Sequence, residues 1–404
     1  MSIDDHSVWI IGVAMTEFRR YDDRDAYDLG AEAALSALAD GGVSMQDIDV
    51  FAAGSVNQAR LYPAQKIQKL IGQTGIPAFN VLNACATGAT AVKVVHQAIL
   101  AGEASIGLAV GCEQMGKMGM LGASRYGERT ARFAPSGNDG AVMPTEGVLG
   151  TSMMPGTFAQ AGMQYAAQHD GVGFEQFAKV AEKNHAHSTL NPWAQYQKQF
   201  TLEEVMTAEM IAYPNTLLMC CPTGDGGAAA VLVSGERLRS MPSEVRNRAV
   251  KISASILTSD PWSPDGLVQP DINTLTRNAA TMAYEKAGVT PGDLDLVELH
   301  DCFASAELLH YDNLQLCEPG SAGEFIDKRA PWRDGAIPVN VSGGLLSKGH
   351  PLGATGVANI YEVATHLRGE AGDRQVEGAK VGLTHVIGLG SACSIHVLER
   401  GSPG

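Results

Sequence analysis

The sequence predicts an α/β fold built from two related halves. Short uncharged apolar runs, typical of buried strands, alternate along the chain with segments of helical periodicity. Two pairs of similar segments occur in the same order in the two halves. The chain has 404 residues, 45% of them hydrophobic, which is enough for about two or three domains with sizeable cores. We therefore expect a duplicated α/β unit with mostly parallel sheets.

The first repeated segment joins the end of a helix to a strand. Residues 37–50 read ALADGGVSMQDIDV and residues 283–296 read AYEKAGVTPGDLDL, with Ala, Gly, Val and two Asp at matching positions. The second pair is GATAV at 88–92 and GATGV at 353–357, separated by a different interval. Two similar pairs in the same order indicate a duplication, with an insertion in one half.

The predicted elements divide between the two halves. Residues 1–245 form the first half and residues 246–404 the second, joined by a polar segment at 235–248. Residues 117–213 show few strand signals, and we expect them to form a loop domain inserted in the first half. Strands are predicted at 50–52, 106–111, 228–233, 296–299 and 381–390, and helices at 26–39, 88–101, 174–189, 201–211, 275–287 and 354–368.

The charge and the termini argue against several functions. A formal net charge of −15 disfavours a nucleic-acid or anionic-membrane binder, which needs a basic surface. No apolar run reaches the ~18 residues of a membrane span, and the acidic start MSIDDH is unlike a signal peptide. The final GSPG is not the peroxisomal Ser-Lys-Leu signal, so we expect a cytoplasmic protein.

The cysteines raise the question of a nucleophile. In the cytoplasm they should be reduced. None forms a Cys-x-x-Cys pair, which disfavours a zinc site, and we expect no metal. The seven cysteines are at positions 85, 112, 220, 221, 302, 317 and 393.

Cys85 is the first candidate nucleophile. Within NACATG it follows an apolar stretch and precedes a helical pattern, which predicts a strand-to-helix turn. The free N–H groups and positive potential of a helix N-terminus favour a thiolate, and the small neighbours are expected to leave the sulfur accessible. The alternative is a small buried core cysteine, the common position of a free cysteine.

A second candidate segment is LHDCF at 299–303. It follows a predicted strand and precedes a helical pattern at 307–316. Its ionisable side chains, His300, Asp301 and Cys302, lie at a strand end, where open α/β sheets place ligands. In the structural alternative, Asp301 caps the following helix, Cys302 is buried and His300 is hydrogen-bonded.

Two glycine-containing loops complete the candidate site. Residues 342–356, SGGLLSKGHPLGATG, contain five glycines that let the backbone approach a ligand closely. This loop carries His350, although a single loop histidine is more often structural than catalytic. The loop at 388–391, beginning with Gly388, ends an apolar strand and is placed to aim a backbone N–H at an oxyanion.

One reaction uses these segments together. The thiol of Cys85 needs a base, and His350 supplies one. Carbon–carbon cleavage needs a proton donor for the leaving carbanion, and a second cysteine such as Cys302 is a candidate. The oxyanion of acyl transfer needs donors, which His300 and the backbone N–H groups of Cys85 and Gly388 provide.

Other candidates are weaker. The neighbouring Cys220 and Cys221 precede a turn into a buried strand, and we interpret both as structural. Cys393 alternates with strand residues, which indicates packing. His185 and His187 fall on a polar helical pattern, and we expect them to be solvated.

The motifs NACATGAT, HDCF and SGGLLSKGHPLGATG, in this order and spacing, resemble those of the thiolase superfamily. The chain is most similar to the sterol carrier protein-type thiolases, also through KNHAHSTLNPWAQYQKQFTLEEV and CCPTGDGGAAA. The resemblance implies two βαβαβαββ halves in a five-layer αβαβα sandwich with the loop domain at about 117–213. It also implies a homodimer or dimer of dimers, coenzyme A as co-substrate and no permanently bound cofactor.

The resemblance also implies a role for each candidate. Cys85 matches the acylated nucleophile and His350 the histidine of the GHP loop, which we count as base and as oxyanion donor. Cys302 matches the acid/base cysteine of HDCF. His300 matches a donor of the first oxyanion hole, and Gly388 a backbone donor of the second.

The sequence departs from the family pattern in the last loop. Most thiolases have a Cys-x-Gly loop there, whereas this chain has Val386 at the corresponding position and Cys393 lies too far along to replace it. The acid/base role should therefore fall to Cys302. The fused sterol-carrier domain of the subgroup is not expected after residue 404.

Three functions remain open at this point. The leading one is thiolytic cleavage of 3-ketoacyl-CoA, or the reverse condensation, in fatty-acid or sterol side-chain β-oxidation. The second is a thiolase-like retro-aldolase or acyltransferase that acts with a small OB-fold partner. The third is a non-catalytic acyl-CoA or lipid-binding protein, which the retained catalytic set disfavours.

Overall fold

A computed structural model describes residues 3–115, 153–261, 272–389 and 392–401. The strands are β1 (Val8–Met15), β2 (Val50–Gly54), β3 (Ala78–Val81), β4 (Ile106–Gln114), β5 (Met210–Ala212), β6 (Asn215–Thr216), β7 (Asp225–Ser234), β8 (Val250–Thr258), β9 (Leu296–Glu298), β10 (Val381–Gly388) and β11 (Ala392–Arg400). The α-helices are α1 (Ala26–Asp40), α2 (Pro63–Ile71), α3 (Thr87–Leu100), α4 (Met153–Gln168), α5 (Phe174–Ser188), α6 (Leu202–Thr207), α7 (Gly235–Arg239), α8 (Ser243–Arg248), α9 (Ile272–Ala287), α10 (Ala304–Asn313), α11 (Ala322–Asp327), α12 (Gly344–Ser347) and α13 (Leu352–Arg368).

One large sheet shows the duplication directly. Its strands lie in the order β3-β2-β4-β7-β1-β8-β11-β10-β9, and β1 pairs with β8 at the junction of the halves. Outward from this junction, β1, β7, β4 and β2 correspond to β8, β11, β10 and β9. Beyond β9 a parallel bridge joins Val297 to Val339, in the place that β3 occupies beside β2. The predicted repeat is confirmed.

The prediction of mostly parallel sheets was wrong. Among the strands that the structure describes, the parallel pairs of the large sheet are β2–β3, β2–β4 and β9–β10, and the other neighbouring strands are antiparallel. Residues 389–391 alone separate β10 from β11 in the sequence, and so short a connection between neighbouring strands requires antiparallel pairing. Strand β7 is the counterpart of β11 in the first half. It pairs antiparallel with β4 in the same way, although the insertion lies between β4 and β7 in the sequence.

The matched aspartates of the repeat make matched hydrogen bonds. Asp47 and Asp293 each accept the backbone N–H of the residue three positions earlier, at 2.9 and 2.7 Å. Asp49 and Asp295 each accept two backbone N–H groups at the start of the neighbouring strand, β4 or β10. The repeated sequence therefore encodes the same capped turn and the same strand anchor twice.

Helices α3 and α13 form the central layer between the two halves of the sheet. Helix α13 packs on strands of both halves and on α3, while α1 and α2 cover the outer face of the first half and α9 that of the second. The central helices meet closely: a Cβ on Gly88 would lie 2.5 Å from Gly353 O, and one on Gly356 would lie 2.3 Å from Ala89 N. This arrangement is the predicted five-layer αβαβα sandwich.

The described part of the predicted insertion is largely helical. Helices α4 and α5 pack on α10, and the remaining part of the predicted loop domain, residues 117–152, lies outside the described residues. The predicted helix at 201–211 ends at Thr207, because residues 210–212 form β5 and pair with β6. The boundary between the halves at residue 245 stays a prediction.

The prediction that His185 and His187 are solvated was wrong. Both side chains are buried, because α5 lies against the glycine-rich loop of the second half. A ring nitrogen of His185 lies 3.0 Å from Ser347 Oγ, and one of His187 lies 3.0 Å from Asn340 O. They fix α5 on the site loops. In the described ranges, no helix combines the length and apolar character that crossing a membrane requires.

Candidate active site

Cys85 lies at the predicted strand-to-helix turn. Strand β3 ends at Val81 and α3 begins at Thr87. Ala84 adopts a left-handed φ of 47°, which is unfavourable for alanine. The Thr87 hydroxyl stabilises this turn, because it donates to Ala84 O at 2.6 Å and accepts the N–H of Asn83 at 2.8 Å. The turn thus holds the cysteine at the start of the central helix.

The expected accessible thiolate at Cys85 is not what the structure shows. The side chain is only 4% exposed and packs in an apolar cluster with Met115, Leu352 and Val386. Burial, followed by the charge of Glu113, raises the pKa of the Cys85 thiol to about 12. Desolvation therefore outweighs the helix N-terminus, and Cys85 is a neutral thiol that needs a base.

The pH dependence of alkylation should report this neutral thiol. We expect the rate of Cys85 alkylation by iodoacetamide to increase with pH from about 6 to about 10, because only the thiolate reacts. Mass spectrometry of the Cys85 peptide measures the rate. A plateau beginning below about pH 8 would show a stable thiolate–imidazolium pair and contradict the assignment.

The structure brings three of the predicted residues together. The sulfur of Cys85 and one ring nitrogen each of His300 and His350 lie within 4.8 Å of one another. The two imidazole rings meet edge to face, with centroids 5.1 Å apart. These residues are far apart in sequence and come from both halves of the repeat. A thiol with two imidazoles at this distance is suited to base-assisted nucleophilic attack.

The hydrogen bonds of His350 determine where its proton lies. Its Nδ1 is 2.8 Å from Thr355 Oγ1, and that hydroxyl donates its single proton to Pro351 O at 3.0 Å. The hydroxyl must therefore accept from Nδ1–H. Burial lowers the pKa of His350 well below its usual value, so the ring is neutral and its Nε2 is unprotonated. Nε2 has no hydrogen-bond partner among the described residues, as a base awaiting the Cys85 proton should.

Thr355 is therefore expected to orient the base. Thr355→Val should lower kcat/KM by about 10–100-fold, the usual cost of losing a partner that fixes a histidine tautomer. Thr355→Ser keeps the hydroxyl and should retain most activity. Steady-state kinetics of the two variants, with circular dichroism to confirm folding, provide the test. Equal losses in both variants would show that Thr355 acts through packing alone.

Asp301 caps a helix, but not the one expected from the sequence. Its carboxylate accepts the N–H groups of Leu345 at 2.7 Å and Leu346 at 3.2 Å, at the start of α12 in the glycine-rich loop. It also accepts from the side chain of Asn184 on α5 at 2.8 Å. Asp301 thereby ties the HDCF segment to the loop that carries His350.

Cys302 lies beside this group but does not belong to it. Among the described residues, the group of mutually close ligand atoms contains Cys85, His300 and His350 only. The Cys302 side chain is buried, and burial followed by the charges of Cys221 and Cys85 raises its pKa well above the usual value. It is therefore a protonated thiol near the nucleophile, as a proton donor must be.

Cys221 is a neighbour of Cys302 that the sequence interpretation missed. Its N–H donates to Cys302 O at 3.0 Å, and Cys220 forms a β-bridge with Phe303. The two cysteines therefore lie opposite each other on short antiparallel segments, with side chains on the same face. No periodicity or motif signals such a pairing, because it depends on two loops from different halves. Thr355 was also missed, although its place one turn after Pro351 in a predicted helix was a usable signal.

The last loop approaches the nucleophile through its glycine. A Cβ on Gly388 would lie 2.5 Å from Asn83 O and 3.2 Å from Ala84 Cβ, so Gly388 rests on the Cys85 turn. Val386 packs in the apolar cluster around Cys85 and has no ionisable side chain. Residues 390–391 of this predicted loop lie outside the described residues.

Cys393 occupies a packed position on β11, as predicted. It is fully buried opposite Ile387 of β10. Burial raises the pKa of the Cys393 thiol.

A thiol and two imidazoles are also ligand types that zinc accepts. In this group, however, the Cys85 thiol is neutral and His350 carries its proton on Nδ1. This arrangement suits proton transfer from the thiol to His350 without a metal. The expectation of a metal-free site stays a prediction.

Comparison with known proteins identifies the family. The family model described as "Thiolase, N-terminal domain" matches residues 8–210, and the model described as "Thiolase C-terminal domain-like" matches residues 269–400. The chain belongs to the thiolase superfamily. Sterol carrier protein 2 of Oryctolagus cuniculus is 39% identical over 402 residues, which are 98% of this chain and 72% of that protein. The predicted resemblance to sterol carrier protein-type thiolases is confirmed.

One further relative supports a thiolase of acyltransferase type, and two solved structures share the fold of this chain. Acetyl-CoA acetyltransferase of Methanothermobacter thermautotrophicus is 36% identical over 403 residues, 97% of this thiolase and 99% of that enzyme. Human mitochondrial 3-ketoacyl-CoA thiolase in complex with CoA has the same fold, with a TM-score of 0.73 and 20% identity over 98% of both chains. An Ltp2-ChsH2(DUF35) aldolase structure also shares the fold, with a TM-score of 0.79 and 23% identity over 98% of both chains.

Proposed function

We propose that this thiolase cleaves 3-ketoacyl-CoA with coenzyme A, or runs the reverse condensation, through an acyl group on Cys85. The observation that carries the proposal is the group of Cys85, His300 and His350 within 4.8 Å, with an unprotonated His350 Nε2. Cys302 beside it supplies the protonated thiol that carbon–carbon cleavage requires.

The first half of the reaction transfers the acyl group to the enzyme. His350 Nε2 takes the proton of Cys85, and the sulfur attacks the C3 carbonyl carbon of the substrate. The resulting oxyanion collapses, and the C2–C3 bond breaks. The Cys302 thiol then gives its proton to C2 of the departing acetyl-CoA. Cys85 holds the acyl group as a thioester, and Cys302 is left as a thiolate.

The second half transfers the acyl group to coenzyme A. The incoming CoA thiol gives its proton to the Cys302 thiolate and attacks the acyl carbon on Cys85. Collapse of this second oxyanion expels the Cys85 thiolate, which recovers its proton from His350. The enzyme returns to its initial state, so CoA is a co-substrate and no permanently bound cofactor is needed.

The two oxyanions need separate donors. In this proposal, His300 and the newly protonated His350 Nε2–H donate hydrogen bonds to one oxyanion. The backbone N–H groups of Cys85 and Gly388 donate to the other oxyanion. The closeness of Gly388 to the Cys85 turn supports this second assignment. Each preorganised donor of this kind is worth about 10²–10³ in rate.

The experiment that tests the proposal is a thiolysis assay of the purified chain on short, long and steroid-side-chain 3-ketoacyl-CoAs. Thiolysis together with an acyl-Cys85 adduct supports it. Tight acyl-CoA binding without the adduct would identify a non-catalytic binding protein instead. The seven cysteines are all free, in keeping with the cytoplasmic location that we propose.

An aldolase or acyltransferase with an OB-fold partner is the second proposal, suggested by the printed name of the Ltp2-ChsH2(DUF35) structure. That likeness shows the fold alone. Full activity of the isolated chain would exclude a required partner, whereas activity only after adding such a protein would favour this alternative.

A homodimer is the expected assembly of this enzyme. Strand β3 is an edge of the large sheet, and Phe79 and Leu82 are exposed there, 46% and 60%. An unpaired edge with apolar side chains fits a second copy of the same edge related by a two-fold axis. Light scattering should give about twice the 42.5 kDa of one chain, or a multiple of that dimer.

A charged substitution should show whether the β3 edge, and not another part of the surface, forms the dimer interface. Phe79→Glu is expected to yield monomers, while the control Leu100→Glu, at an exposed residue on the end of α3, should stay dimeric. A monomeric native chain would refute the assembly, and a dimeric Phe79→Glu variant would place the interface elsewhere.

A further inference from the structure

Two buried histidine nitrogens, one in the candidate site and one on α10, have no hydrogen-bond partner among the described residues. They are Nδ1 of His300 and Nε2 of His310 on α10. Buried polar atoms without a partner are uncommon, and ordered water often satisfies them. His385 links the two residues, because its ring meets that of His310 at 4.6 Å and its Nδ1 accepts the backbone N–H of His300 at 3.4 Å.

The hydrogen bonds of His310 assign its proton to Nε2. The side-chain nitrogen of Asn313 donates to His310 Nδ1 at 3.4 Å and to Asn273 Oδ1 at 2.8 Å. A nitrogen that accepts a hydrogen bond carries no proton. Burial lowers the pKa of His310 to about 3, so the ring is neutral and its single proton lies on Nε2. His310 Nε2–H is therefore a buried donor that lacks an acceptor.

His300 presents the complementary atom. Burial lowers its pKa to about 3, so its ring also carries one proton, on Nδ1 or on Nε2. Nδ1 of His300 is buried without a partner among the described residues, and one ring nitrogen of His300 lies within 4.8 Å of the Cys85 sulfur. The proposed oxyanion role assigns the position facing Cys85 to Nε2. An oxyanion donor needs the proton on Nε2, and then Nδ1 is an acceptor that lacks a donor.

We propose that His310 is a positioning residue, whose Nε2–H donates through one water molecule to His300 Nδ1 and thereby keeps the His300 proton on Nε2, facing Cys85. The inference rests on the proposed role of His300 as an oxyanion donor. His385 cannot take this part, because its Nδ1 accepts the backbone N–H of His300, so its own proton points toward Thr276 Oγ1, 3.5 Å away.

The test compares two substitutions by the tautomer of His300. The donor is absent in His310→Phe, whereas His310→Gln places an amide N–H near the former Nε2. Nitrogen-15 NMR of histidine-labelled protein, with His300 assigned by a His300→Gln variant, reports which ring nitrogen carries the proton. We expect Nε2–H in the native chain and in His310→Gln, and a shift toward Nδ1–H in His310→Phe.

Kinetics provide the second readout. His310→Phe should lower kcat about 10–100-fold with little change in KM, and His310→Gln should recover most of it. An unchanged His300 tautomer in His310→Phe, or equal loss in both variants, would overturn the inference. If instead no variant or native chain acylates Cys85, the proposed function fails, while the NMR result still decides the role of His310. If His310→Phe does not fold, a loss of the Nε2 proton in His310→Gln overturns the inference and its retention supports it.

Discussion

Cys85→Ala is expected to abolish covalent acylation and to lower thiolysis by at least about 10⁴-fold, because the variant has no sulfur to hold the acyl group. Alanine fits the apolar cluster around residue 85 without leaving a buried polar atom, so the fold should persist. Intact-protein mass spectrometry after incubation with an acyl-CoA measures the adduct, and a thiolysis assay measures the rate.

A matched control separates this effect from the general loss of a buried thiol. Cys393→Ala removes another buried cysteine, which packs on β11 opposite Ile387. It should still gain the acyl mass. Persistence of the adduct in Cys85→Ala, or its loss in Cys393→Ala, would refute Cys85 as the acylated residue.

Cys302→Ala should lower turnover of a 3-ketoacyl-CoA by about 10²–10⁴-fold, because the carbanion of the departing acetyl-CoA then lacks its proton donor. The raised pKa of the Cys302 thiol keeps it protonated at neutral pH, as this role requires. Acylation of Cys85 by a simple acyl-CoA should continue, since that step forms no carbanion. Rapid-quench kinetics with both substrates measure the two steps separately.

The comparison with Cys393→Ala also decides between two acids. The Cys393 side chain is buried on β11 opposite Ile387, and Val386 packs in the apolar cluster around Cys85. If Cys393→Ala were the impaired variant and Cys302→Ala near normal, the last loop would hold the acid. If neither variant were impaired, a water molecule would be the proton donor.

Much of the architecture was predictable because it depends on local patterns. The segments at 37–50 and 283–296 repeat the aspartates that cap a turn and anchor a strand, and these bonds reach only neighbouring residues or the next strand. The strand-to-helix turn at Cys85 follows from an apolar run followed by a helical pattern. The direction of strand pairing was not predictable in this way, because it depends on the path of connections such as the insertion before β7.

The chemical state of the site depended on contacts between distant segments. Sequence reasoning gave Cys85 a thiolate from the nearby helix N-terminus, but burial raises its pKa to about 12. The residues that bury it, such as Met115, Leu352 and Val386, come from three different parts of the chain. Desolvation sums over all of them, so no local pattern reports it.

The sequence by itself determined the duplicated α/β architecture, the family and the identity of Cys85, His300, Cys302 and His350 as candidates. Only the tertiary structure decided which of them meet, where the His350 proton lies and which helix Asp301 caps. Residue types and periodicities are properties of short segments, so they can be read directly from the sequence. Distances, burial and proton positions arise only where loops from both halves converge, because each depends on atoms that the chain brings together from hundreds of residues apart.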